Sequence, residues 1–528
     1  MTAAVCRAAT IALNGLEGAA VQVEAAVSQQ LPGMAIIGLP DAALAEAKLR
    51  VRLATAQADL PLTNRFLTVN LAPAALPKQG SGFDLAIALA SLAASGQLPG
   101  SDDVHERLAA TAHIGELGLD GGLRRPDGLL GAVVAAQRLG FTRVMVPASC
   151  AAEAALVSGM TVVAPETLAQ AVDWYRGVPM QTHPAASAAA RLPGAPGDAR
   201  TQDPGDALDM VDVVGQPEAV EAMIVAAAGR HHLSLIGPPG AGKTLLATRL
   251  PSILPDLSDA ASIEASSIAS LGSGAALTRL VRRPPFESPH HTASAAAIIG
   301  GGTGNVIRPG AVTRACHGVL FLDEAAEFAP KVLDALRQPL ESGVIEIHRA
   351  RMRATLPARV QLILAANPCP CGKLGSAETS LECECPPMQR RRYLARISGP
   401  LADRIDLRLT VRRVSSLLLQ DAQPARPNSA ELRVRVVEAR ARAAHRLTGT
   451  PWAVNADVPG RWLRGPELRL PRTETVVLDR ALSRGGITLR GYDRALKVAW
   501  TIADLDGMER PGRHEVARAL MLRNGVAA

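Results

Sequence analysis

Aromatic residues are scarce in this chain. Phe, Tyr and Trp together make 2% of its 528 residues, and the apolar share of 48% rests largely on alanine. No apolar run is long enough to cross a bilayer, so no spanning helix and no membrane partner are expected. The segment after Met1 lacks a basic stretch followed by an apolar core, so no signal peptide is expected and the expected location is the cytoplasm. Cysteine is sparse too, at seven residues, four of them packed between Cys369 and Cys385. With no export signal expected, a disulfide framework is not expected, and metal binding or reduced thiols fit better. The charge imbalance is small, at +7 with a pI near 9.3, which permits a nucleic-acid partner without requiring one. The length exceeds what one core supports and calls for two to four domains.

The most informative stretch is GPPGAGKT, comprising Gly237, Pro238, Pro239, Gly240, Ala241, Gly242, Lys243 and Thr244. The apolar run Leu233–Ile236 precedes it and a helical pattern, Leu245–Leu250, follows. Strand, glycine loop and helix form the context of a phosphate-binding P-loop. The glycines let several N–H groups point at one anion, and the positive end of the helix faces the same spot. Lys243 is then expected to reach the β/γ-phosphates of a nucleoside triphosphate, and the Thr244 hydroxyl to hold Mg²⁺.

A second apolar strand, Val319–Leu322, ends in Asp323 and Glu324. Asp323 is expected at Mg²⁺ and Glu324 at the attacking water. A third, Val360–Ala366, ends at Asn367, where a polar side chain would stand beside the γ-phosphate.

Before this core the chain alternates β and α pieces. Strand patterns cover Val21–Glu24, Phe66–Leu71 and Val144–Pro147; helical patterns cover Ala42–Ala58, Phe83–Ala94 and Leu129–Leu139. The stretches Thr68–Ala90 and Gly115–Gly140 resemble the proteolytic domain of Lon proteases, which implies a ribosomal-S5-like α/β fold. Lon-type proteolysis needs a serine nucleophile activated by a lysine. Gly82 stands where the serine should be, and Leu130 and Ala132 where the lysines should be. Ser81 is one position off and has no lysine partner in the second stretch. A Lon-like fold without the dyad is expected, serving assembly or partner contacts. From Gln181 to Leu208 the chain is rich in Ala, Pro, Gly and Asp and reads as a flexible linker.

The order P-loop, apolar-Asp-Glu, strand-Asn is that of AAA+ ATPases, and by that resemblance Asn367 is sensor 1. The stretches RRPPFESPHHTASAAAIIGGG from Arg282, HGVLFLDEAAEF from His317, LRQPLESGVIEIHRA from Leu336, NPCPCGKLG from Asn367 and RYLARISGPLADRIDL from Arg392 closely resemble the ComM/YifB family of Mg-chelatase-like AAA+ proteins. The resemblance covers nearly the whole chain. It implies an ATP-driven ring, expected as a hexamer, with ATP between subunits. It further implies a role in branch migration of DNA during natural transformation, beside recombination proteins.

On the matching positions Arg404, in the DRID motif, is the expected arginine finger, and Arg490 the expected sensor-2 arginine. The alternative for Arg404 is a salt bridge between Asp403 and Asp406. Gly343–Leu356 reads as two short strands around a turn, where related ATPases carry a pore hairpin. Its Arg349, Arg351 and Arg353 would offer charge to a DNA backbone, or else form a solvated edge. His290 and His291 are expected at DNA or in a structural role.

Two cysteine pairs, Cys369 with Cys371 and Cys383 with Cys385, suit a structural tetrahedral Zn²⁺, although one spacer residue demands a sharp turn. In the last part, Arg433, Arg435, Arg440, Arg442 and Arg446 lie on a helical pattern read as a solvated face, with DNA or subunit contact as the alternative. Gly486–Leu505 reads as an amphipathic helix after a strand-like Ile487-Thr488-Leu489.

The expected architecture is α/β and multidomain. A Lon-like domain spans 1–180, a linker 181–208, a P-loop AAA+ core 209–410 and a helical lid 411–528. The expected activity is ATP-driven movement along DNA, with ATP and Mg²⁺. The rivals are an ATPase subunit driving metal insertion into a tetrapyrrole, an ATP-dependent protease and an ATP-binding scaffold.

Overall fold

The computed structural model describes residues 5–38, 41–74, 76, 78, 80–180, 182–184, 208–272, 276–303, 306–349, 352–374, 382–397, 399–414 and 426–527. It is a mixed α/β structure with two large sheets and many helices.

The first sheet contains β1 (Cys6–Asn14), β2 (Glu17–Ser28), β3 (Gly33–Ile37), β4 (Phe66–Ala72), β5 (Thr111–His113), β6 (Arg143–Met145), β7 (Thr161–Val163) and β8 (Thr182–Pro184). Their order is β8-β7-β6-β5-β1-β2-β4-β3. Antiparallel pairs (β1–β2, β2–β4, β7–β8) mix with parallel ones (β1–β5, β3–β4, β5–β6, β6–β7). Alternation explains the strands: Val21, Val23 and Ala25 are buried while Gln22 is exposed. Its helices include α1 (Asp41–Gln57), α2 (Asp84–Ala94) and α3 (Leu129–Arg138). Helix α2, apolar nearly all round, is buried from its first residue, Asp84, to Leu92. β8 lies in the stretch expected as linker; of 181–208 only 182–184 and Leu208 fall within the described residues.

The second sheet contains β9 (Leu233–Ile236), β10 (Phe286–Glu287), β11 (Val319–Leu322), β14 (Gln361–Ala366), β15 (Leu407–Thr410) and β16 (Val526–Ala527), in the order β10-β11-β14-β9-β15-β16. Every neighbour is parallel. Parallel strands are covered on both faces, which is why they read as near-continuous apolar runs. Leu233, Leu235, Phe321, Ile363 and Leu409 join one core, and Leu320, Leu322, Leu362 and Leu364 join another. A separate antiparallel hairpin, β12 (Val344–Arg349) and β13 (Met352–Pro357), precedes β14. The helices around this sheet include α4 (Pro217–Gly229), α5 (Lys243–Ile253), α6 (Asp259–Gly272), α7 (Arg337–Ser342) and α8 (Pro387–Ala395).

The last part is helical: α9 (Ser429–Arg446), α10 (Arg472–Ser483), α11 (Leu489–Leu505) and α12 (Arg513–Asn524). Asn428 and Glu431 close a capping box at the start of α9. Ile487-Thr488-Leu489 is not a strand: Thr488 caps α11 by accepting from the Gly491 N–H at 3.1 Å. After these helices β16 returns to pair with β15.

Four of the five α9 arginines bond other parts of the chain, while Arg435 is exposed and stands 3.9 Å from Glu221. Arg433 donates to Ser252 O at 2.6 Å, Arg440 to Ala227 O at 2.7 Å and Arg442 to Asp504 O at 2.7 Å. Arg446 pairs with buried Asp504 and stacks over Trp500, 4.4 Å from the ring centre.

The two sheets meet where α3 packs on α6. Ser270, on α6, donates to Glu153 Oε1 at 2.7 Å and accepts from the Leu130 N–H at 3.2 Å. Arg125 clamps the same carboxylate at 3.0 and 3.1 Å. Glu153 and Ser270 are fully buried, so this charge stays buried only because each of its oxygens is bonded. A second contact joins the β1–β2 turn to the hairpin, where Asn14 Nδ2 donates to Arg353 O at 2.5 Å.

Candidate active site

Because the second sheet is parallel, the C-terminal ends of β9, β11 and β14 open on one edge. Each carries one of the motifs read from the sequence. After β9 the glycine loop turns into α5, with Gly240 at φ +76° and Gly242 at φ +90°, conformations that side chains with a Cβ rarely adopt. A Cβ on Gly237 would run into the Val411 carbonyl oxygen beside it. Lys243 Nζ lies folded in the loop, donating to Gly237 O at 2.6 Å, Pro238 O at 3.0 Å and Asn367 Oδ1 at 3.0 Å. Burial holds its pKa below the usual lysine value, with Asp323 and Glu324 pulling the other way.

Thr244 Oγ1 donates to Asp323 Oδ2 at 2.7 Å. A hydroxyl and a carboxylate oxygen converging at a loop with outward N–H groups fit the Mg²⁺ of a nucleoside triphosphate, and these two residues would hold it. Such an ion supplies neutralising charge at the phosphate oxygens. Lys243 supplies a second cation, and Asn367 a polar group already bonded to it.

Glu324 follows at φ +50°, a left-handed conformation that is strained for a residue with a side chain. Its N–H donates to Asp323 Oδ1 at 2.8 Å. The Glu324 side chain is 54% exposed, open to water. His291 Nδ1 stands 2.9 Å from Glu324 Oε2. His291 also stacks on His290 at 4.2 Å and meets Phe328 edge-on. The histidine expected at DNA or in a structural role thus lies against the candidate base. Only the chain fold, and no spacing in the sequence, signals that placement.

Two further residues support the loop and were not anticipated. Arg413 Nε donates to Pro239 O at 2.9 Å, and Gln216 Nε2 to Ala241 O at 2.8 Å.

The remaining expected residues stand apart from this group. Arg404 bonds Glu341 of α7. Asp406 is buried and takes Arg494 of α11 at 2.5 Å. Burial alone would raise its pKa; Arg494 and His231 hold it well below the ordinary carboxylate value. Arg490 is exposed on the first turn of α11 and, among the described residues, makes no hydrogen bond to the glycine loop. Arg353 is 67% exposed on the hairpin, 3.5 Å from Glu346; Arg349 ends β12, and Arg351 lies outside the described residues. The sulfurs of Cys369, Cys371, Cys383 and Cys385 all lie within 4.8 Å of one another, a donor set that could hold a metal. No helix among the described residues is long and apolar enough to cross a membrane.

A parallel sheet with a glycine loop, an apolar strand ending in Asp-Glu and a strand ending in Asn on one edge defines a P-loop ATPase of the AAA+ type. Residues 209–418 match the family model described as magnesium chelatase, subunit ChlI; residues 23–150 match subunit ChlI of Mg-chelatase, and 426–523 the ChlI C-terminal region. An uncharacterized protein of Mycobacterium tuberculosis is 45% identical over 522 residues, 98% of each chain. The competence protein ComM of Haemophilus influenzae is 38% identical over 512 residues, 96% of this chain and 95% of the relative. YifB of Escherichia coli is 36% identical over 520 residues, 97% and 96%. The chain belongs to the Mg-chelatase-like family that includes ComM and YifB. Membership of this AAA+ family implies ATPase activity, with ATP and Mg²⁺.

Proposed function

We propose that this protein is a cytoplasmic ATP-hydrolysing ring motor that acts on DNA, as a helicase or branch-migration factor in recombination during natural transformation. The convergence of Lys243, Thr244, Asp323 and Asn367 around one loop carries the ATPase part. In this reading Glu324 orients the attacking water and Asn367 senses the γ-phosphate. Arg404 acts on a neighbour's nucleotide once released from Glu341, and Arg490 acts on its own. The subunits form a ring, expected as a hexamer. Residues 1–180 act as a Lon-like assembly domain without a dyad, and the helices after 411 as a lid.

The DNA part is supported by the relative named competence protein ComM and by the arginine-bearing hairpin. Arg349, Arg351 and Arg353 would meet phosphates without sequence preference.

A second reading is favoured by the family description, magnesium chelatase subunit ChlI. It makes the chain an ATPase that drives metal insertion or remodels a protein partner.

The test is steady-state ATP hydrolysis by the full chain, with and without single-stranded and branched DNA, beside Glu324→Gln. DNA stimulation lost in the variant supports the motor. Hydrolysis indifferent to all DNA sinks it and favours the second reading.

A further inference from the structure

The four clustered cysteines are used by neither reading of the active site, yet they sit against it. Cys369 follows Asn367 by two residues, and the Gly372 N–H donates to Cys369 O at 3.0 Å. That bond closes a four-residue turn with Pro370 in its second position, where the proline ring pre-sets φ. The turn solves the one-spacer problem, bringing the sulfurs of Cys369 and Cys371 to 3.4 Å. Cys383 Sγ lies 3.7 Å from the first and 3.6 Å from the second. Four thiolates held at about 2.3 Å from one tetrahedral centre stand roughly 3.8 Å apart. A covalent S–S bond is about 2.05 Å, so this spacing matches a shared metal and not a disulfide.

Both arms of the cluster are held from outside. Arg390 of α8 donates to Cys385 O at 2.8 Å, and Lys373 meets Glu382 at 3.2 Å across the arms.

The turn also lies on the glycine loop. Gly372 is buried at φ +73°, and a Cβ there would come within 2.8 Å of the Pro239 ring. One short segment therefore carries Asn367 at its start, two of the sulfurs in its middle and a close contact with the phosphate loop at its end.

We propose that Cys369, Cys371, Cys383 and Cys385 bind one Zn²⁺ per chain, and that this metal clamps the Cys369–Gly372 turn against Pro239, holding Asn367 beside Lys243. The metal assignment stands on the sulfur geometry alone. The clamping role rests on the reading of the loop as an ATPase site. In this role the cysteines are positioning residues: they touch no nucleotide and act through Asn367 and Pro239.

The first measurement is elemental analysis of the full chain purified without chelator, with zinc release followed during titration by an organomercurial. One zinc per chain, released as four equivalents of mercurial are taken up by the cluster, is the expected result. Exchange with Co²⁺ should give the visible bands of a tetrahedral thiolate site. Four freely reactive thiols with no metal, or iron in place of zinc, would overturn the assignment.

The clamp is read by kcat and KM for ATP. Cys385→Ser should lose the zinc and about tenfold in kcat, the scale on which metal-support contacts act. Cys385→His, which keeps a zinc-binding nitrogen, should recover both. Should Cys385→Ser fail to fold, the wild-type chain stripped with a chelator and reloaded with Zn²⁺ gives the same reading, with kcat falling and returning. Zinc loss with kcat unchanged would overturn the clamp. A wild-type chain that binds zinc but hydrolyses no ATP would overturn the ATPase reading and with it the clamp, while the metal count would still support the site.

Discussion

The two sheets bury similar aliphatic cores, but their edges differ. In the six-stranded sheet all strands run one way, so the loops after Ile236, Leu322 and Ala366 reach a common edge and their polar residues meet. In the eight-stranded sheet directions are mixed, and its polar loops are dispersed over both ends. The positions where a Lon-type dyad would stand show the consequence. Leu130 and Ala132 are buried on α3, which packs on α6 of the core. Ser81 is bonded to Glu116 instead of a lysine. Where one sheet presents chemistry, the other presents a docking surface.

The comparison breaks first at Glu324. Glu324→Gln should lower ATP turnover by about 10³-fold, roughly 4 kcal/mol of barrier, with nucleotide binding retained. Ser81→Ala should leave turnover unchanged. Phosphate release and nucleotide titration read both, and an equal loss in the two variants would erase the distinction.

The docking surface should fail through stability. Glu153→Ala leaves Arg125 without its buried carboxylate, at a cost of about 3 kcal/mol. Thermal melting reads it, with kcat at 25 °C kept; a lost kcat at unchanged melting temperature would reverse the roles assigned to the two sheets.

A smaller effect is expected at His291. His291→Ala should slow turnover by about fivefold, near 1 kcal/mol, by freeing Glu324 to point elsewhere. Unchanged kcat would make the contact incidental.

The smallest expected effect is a pH dependence at α6. His317 is paired with Glu264 of that helix. Burial lowers its pKa, but hydrogen bonds with Cys316 and Glu264 outweigh that and raise it to about 9 from 6.5. A folded pKa above the unfolded one means that the stabilisation is complete below about pH 6.5 and is lost as pH rises through 9. Glu264, held below its usual 4.5, adds the opposite loss in acid. Glu264 is 38% exposed, so solvent screens the pair. Melting temperature should fall between pH 6.5 and 9, and His317→Asn should flatten that slope.

Much of the active site was legible because its requirements are local. A loop needing φ above zero at Gly240 and Gly242 must carry glycine there, and buried parallel strands must be apolar runs such as Val319–Leu322. The acids and the asparagine come directly after such runs. The contacts of Arg433 and Arg440 were not legible, because a charged helical stripe looks the same whether it faces water or carbonyl oxygens such as Ser252 O and Ala227 O.

Taken alone, then, the sequence determined the glycine loop, the apolar runs that end beside it and the alternation of strands and helices. Only the tertiary structure decided which distant groups touch: Lys243 with Asn367, His291 with Glu324, Ser270 with Glu153 and the cysteine turn with Pro239. The physical reason is that periodicity selects the face a residue presents, whereas strand order and helix docking select the neighbour that face meets.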